Sequence, residues 1–142
     1  MEDVKHIFSE SGTWKTVSEF ITPDGQVATG SGESHITVKE DKIINKSWTK
    51  NEPFDLANEY RITPILGNRY MCRAENRALG STQYGWMDFH LNTVFSKYVF
   101  ENSDLNGYEV ITREGDVCRV AGALYKGNNL VDTWTAVMTK ID

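Results

Sequence analysis

The chain lacks most of what would announce a function. It has two cysteines, Cys72 and Cys118, and no Cys-x-x-Cys, which argues against a disulfide framework or a paired-thiol redox or zinc site. Both are expected as free, buried thiols. Its three histidines, His6, His35 and His90, have neither His-x-His spacing nor a cysteine nearby, so no metal site is expected. There is no Gly-x-Ser-x-Gly elbow and no phosphate-cradling glycine loop, since Gly30-Ser31-Gly32 lies inside a strand pattern. No cofactor is expected. No window approaches the roughly 18 apolar residues of a membrane helix. The opening Met1-Glu2-Asp3 starts no signal-like apolar stretch, and the expected location is cytoplasmic. Basic excess is also missing: Lys and Arg total 15 against 20 Asp and Glu, a formal charge of −5. Nucleic acid is therefore not an expected partner. Without repeats, low-complexity segments or a linker, the 142 residues are expected as one domain, 1–142.

Aromatics are plentiful, with four Trp and six Tyr, enough to fill a barrel or line a pocket. Val4, Ile7 and Phe8 at helical spacing predict a short N-terminal helix, ended by the polar run Ser9–Gly12. After it the chain reads as strand. Trp14, Thr16, Ser18 and Phe20 share one face of the first, and Pro23-Asp24-Gly25-Gln26 turns it into the second. Further runs cover about 27–38, 42–50, 56–63, 69–77, 84–91, 93–101, 108–113, 117–126 and 130–141, broken at Glu52-Pro53, at 64–68, at 78–83, at 102–107 and at Gly115 and Gly127. Strands at this spacing with short connections predict an all-β protein, a single antiparallel up-and-down barrel of 8–10 strands whose closure removes exposed edges.

A short opening turn, Gly12-x-Trp14 entering the first strand and a long antiparallel meander together resemble the calycin superfamily, the lipocalin-like and fatty-acid-binding-protein-like barrels. The resemblance implies that Trp14 closes one end of the barrel, with Gly12 giving the bend and a basic residue late in the chain, Lys140, packed over the indole. It implies a small apolar or amphipathic ligand inside. The chain departs from the lipocalin pattern in having no Thr-Asp-Tyr motif at mid-chain and no C-terminal helix signal.

Candidate ligand-binding residues come from strand parity. Arg73 alternates with Glu75 and Arg77, and Arg119 shares a face with Ala121, Ala123 and Tyr125; either arginine would grip a carboxylate with two parallel bonds. Trp86 and His90 share a face, opposite the more apolar Met87, Phe89 and Leu91. Tyr60 and Tyr108 complete the set as groups for a polar head. The leading expectation is a binding barrel. The alternatives are a cofactor-free enzyme acting on a small organic acid through His or Glu beside Arg, and an interaction domain with a filled core, using the polar loop at 102–107. The sequence leaves oligomeric state open.

Overall fold

Alternating strands joined by tight turns are what the chain forms. The computed structural model describes residues 4–51, 54–76 and 81–141, with backbone alone at 49–51, 54–58 and 76. Ten strands follow in order: β1 Gly12–Ile21, β2 Val27–Val38, β3 Ile43–Asn51, β4 Phe54–Leu66, β5 Arg69–Asn76, β6 Ser81–His90, β7 Thr93–Phe100, β8 Leu105–Glu114, β9 Val117–Lys126 and β10 Asn129–Lys140. Each pairs antiparallel with the next, and β10 pairs with β1 from Trp14↔Lys140 to Ile21↔Thr133, so the sheet is a closed barrel. The expected breaks at Glu52-Pro53 and 78–80, and Arg77, lie outside the described residues. β6 starts earlier than its alternation suggests, because Ser81, Thr82 and Gln83 pair with Asn76, Glu75 and Ala74. β8 starts at Leu105, which shortens the expected polar loop to 101–104.

Four hairpins use the same two-residue turn: Gly67-Asn68, Leu91-Asn92, Gly115-Asp116 and Gly127-Asn128. In each the first residue has positive φ, between 54° and 63°, and the second does not. That is the II′ pattern, whose twist matches paired strands and which normally places Gly first. Leu91 is the exception.

The barrel has two unlike halves. At one end lie the turns at 39–42, 67–68, 91–92 and 115–116, together with the N-terminal segment. Here the inward side chains are Ile36, Ile43, Ile62, Met87, Phe89, Val94, Ile111, Cys118 and Met138, all buried around Trp14. Ile7 and Phe8 cap this cluster from outside the sheet, Phe8 stacking near Phe89 and Phe89 on Tyr70. The expected N-terminal helix is absent among the described residues. Ser9 N–H bonds His6 O in a single turn, while Ser9 Oγ and His6 Nδ1 take the N–H groups of His6 and Phe8. Side chains thus occupy donors a helix would need, and adjacent Ile7 and Phe8 both turn into the barrel end.

Candidate functional site

The sealed end is built on Trp14, fully buried, with no hydrogen-bond partner for its Nε1 among the described residues. The cation over its ring is Arg113, from the end of β8, with Cζ 5.0 Å from the ring centroid. Lys140 does not take that place. Its Nζ reaches Glu10 at 3.5 Å. The reason is geometric: the ends of β8 and β10 converge on the same floor, and the flat guanidinium stacks where an ammonium has no plane to offer. Arg113 also donates to Gly115 O (2.7 Å), His6 O (3.2 Å) and Glu10 Oε1 (2.7 Å). The bonds from Arg113 and then Lys5 hold the Glu10 carboxyl down to about 2, well below its ordinary range. Gly12 is the first residue of β1, opposite Ile36.

The other half has a different lining. Its inward positions include the small or polar Gly32, Ser47, Gln83, Gly85, Ser96, Glu109 and Gly122 and the rings of Tyr98 and Trp134. Each keeps part of its surface in reach of water. Glu109 points inward and is only half-buried, with one oxygen bonded to Trp134, so it lines this half and does not fill it. We call the half away from Trp14 the cup.

Register sets the geometry at its centre. Glu109 on β8 faces Gly122 on β9, which faces Trp134 on β10. A side chain on Gly122 would overlap the Trp134 ring. Without one, the indole lies against β9 and its Nε1–H reaches across to Glu109 Oε2 at 2.8 Å. Gly107 does the same for Tyr98, whose hydroxyl stands 2.6 Å from where a Cβ would be. Burial pushes the Glu109 carboxyl above the usual carboxylate range, and the Trp134 bond offsets part of that rise. Burial also raises the Tyr98 hydroxyl, and Glu109, Tyr60 and Asp132 raise it further. Across the barrel, burial and then Glu109 push the Cys72 thiol up to about 12. Asp132 is likewise raised by burial, against a bond from Thr133 N–H. Asn45, the register partner of Tyr60, has a buried Oδ1 with no hydrogen-bond partner among the described residues.

No protein family and no curated protein matches the chain. Solved structures do. The barrel resembles a redesigned one. That redesigned β-barrel superposes with a TM-score of 0.52 over 99% of this chain and 100% of its own, at 11% identity. A redesigned β-barrel, mFAP1, bound to DFHBI gives 0.49 over 90% and 92%, and another protein bound to DFHBI gives 0.43 over 92% and 92%, both at 11% identity. At this identity the likeness is one of fold. Membership of the calycin superfamily, implied by Gly12 and Trp14, finds no family match.

Of the residues expected to bind a ligand, the structure turns only Tyr60 inward. Arg73, Trp86, His90, Tyr108 and Arg119 are exposed on the outer wall. Their strands carry Cys72, Met87, Phe89, Ile111 and Val120 on the opposite, buried face, and period-2 alternation sends the others out. Outside, Arg69 binds Asp88 with two bonds of 2.7 and 3.0 Å and covers Trp86, Arg73 lies 5.4 Å over Tyr84, and Tyr108 stacks on Tyr125. Arg119 borders an open groove of about 420 Å³ on the outer face of β1, β9 and β10. A second open cleft, about 250 Å³, runs between the plug residues His6 and Phe8 and the turn at 39–42. His35, His90, Glu33 and Glu75 all occupy outward positions, so the acid-or-histidine pairing with arginine that an organic-acid enzyme needs is not assembled inside among the described residues. Sequence does not single out Glu109, and it offers Trp134 only as one of four tryptophans suited to a core or a barrel wall. The signal that marks them is the pair of glycines, Gly107 and Gly122, in strand interiors on the inward face.

Proposed function

We propose that the cup holds one small molecule, bound between the Trp134, Tyr98 and Tyr60 rings and fixed by the Glu109 carboxyl. The observation that supports this reading is Glu109: an inward carboxyl, bonded to Trp134, raised by burial and kept within reach of water between Ser96 and Gly122. Folding alone gains nothing from a buried acid where a leucine would pack, and small residues around it leave volume unfilled at a cost in packing. Both costs make sense if an occupant completes the site, as in other pockets where a few polar groups orient a ligand against apolar walls. The other end, closed by Trp14 and Arg113, restricts access to the side bearing the turns at 22–26, 101–104 and 127–128.

Titration with an environment-sensitive dye tests this. Saturable one-site binding is expected. Ser96→Phe, which projects a ring into the cup opposite Glu109, should weaken it tenfold or more, and Trp86→Ser on the outer wall should leave it unchanged. Equal binding by Ser96→Phe, or loss with Trp86→Ser, would move the site to the outer surface and overturn the reading.

A further inference from the structure

The groups facing the cup have a consistent sign. Glu109 and, nearer the mouth, Asp132 are carboxyls. The indole N–H of Trp134 is already given to Glu109. Among the described residues no lysine or arginine stands beside Glu109: Lys126 shares the inward parity of Gly122 but is exposed at the mouth, at the end of β9, and Arg113 and Lys140 belong to the sealed floor. The walls are rings, Tyr60, Tyr98 and Trp134, with Phe20 tilted beside Trp134 and Phe100 edge-on to Tyr98.

An inward carboxyl with no counter-charge beside it is an expensive arrangement. The bland explanation, that the carboxyls are satisfied internally, covers one oxygen of Glu109 and one of Asp132, the latter by its own neighbour Thr133. Aromatic faces carry negative charge density and favour a cation, and the overall charge of −5 draws cations toward the molecule.

We infer that the molecule held in the cup is a protonated amine borne on a flat apolar body, its ammonium donating to Glu109 and to the acceptors around it while its ring lies against Trp134 and Tyr98. This rests on the cup being a binding site, and adds the ligand's charge and donor character. An anionic ligand is disfavoured by the same groups, and a neutral one gains no ion pair with Glu109.

Calorimetric titration of the whole chain with two series of equal shape separates the possibilities. One series is benzylamine, toluene and benzoate; the other is tryptamine, 3-ethylindole and indole-3-acetate. In the series that fits, the amine should bind at least tenfold tighter than its neutral partner, and the anion weakest. Glu109→Gln should bring amine and neutral compound within about threefold of each other, and Asp132→Asn should give a smaller change in the same direction; near-ultraviolet circular dichroism checks that both variants stay folded. If the neutral compound or the anion binds as tightly as the amine, the charge assignment is overturned and the cup stands. If an amine preference survives in Glu109→Gln and Asp132→Asn alike, it arises elsewhere and the assignment is overturned too. If no compound of either series binds and the dye does not, both readings fall.

Discussion

Arg113 and Lys140 are both cations at the floor of the barrel, and they are not equivalent. Arg113 is buried, stacks on Trp14 and bonds three oxygens, whereas Lys140 makes one long contact to Glu10 from a position partly in solvent. Arg113→Met should therefore cost about 2–4 kcal/mol, through lost charge-assisted bonds and buried carbonyls left unpaired. Lys140→Met should cost under about 1 kcal/mol, as exposed pairs do. Urea midpoints decide between them. The same residues set an acid limit. The Glu10 pKa is depressed in the folded state to about 2 from 4.5, so its contribution is complete above about pH 4.5 and is lost as pH falls toward 2. Arg113→Met should flatten that acid limb. Sequence led to the right kind of partner for Trp14 and to the wrong strand, because distance along the chain does not distinguish β8 from β10 once both end at one floor. Glu109 was illegible for a related reason. On β8 its face, with Gly107, Ile111 and Arg113, is no more apolar than the face of Tyr108, Val110 and Thr112.

At the level of strands and turns, alternation and turn residues were enough to place nearly every strand. They could not say which face was inside wherever the inside is not the more apolar side. In β6 the apolar Met87 and Phe89 do face in, and parity points the right way. In the cup the two faces are mixed, with glycine, serine, Tyr98 and Trp134 inward and Trp86 and Tyr108 outward, so hydrophobic patterning does not pick out the inside there. The hairpins supply their own test. Gly67, Gly115 and Gly127 sit at positive φ without strain, and Leu91, at φ 54° and 64% exposed, does the same work with a Cβ in the way. Leu91→Gly should stabilise the protein by about 1 kcal/mol, since relief of left-handed strain exceeds the entropy glycine adds to the unfolded chain. Thermal denaturation would show it as a raised Tm, and a fall would mean the exposed leucine packs on a neighbour.

The whole molecule keeps its two thiols in the wall. Cys72 and Cys118 are buried and each is pushed up to about 12, chiefly by burial. An aromatic disulfide reagent at neutral pH should modify the native protein slowly, and both thiols together, at a rate that rises in urea with unfolding; fast reaction of one alone would show that half of the barrel opening by itself. Closure has a further consequence. Nine of the ten ladders join strands adjacent in sequence, and only the seam of β1 with β10 brings residues 14 and 140 side by side. Loop closure makes that the most entropically costly pairing, and long-range pairing is what slows β-proteins. Glu10, Arg113 and Lys140 meet at this seam, where Ile141 N–H also binds Thr13 O. The group that seals the floor is thus also a clasp, fastening the join that folding reaches last and from which the meander would otherwise unzip.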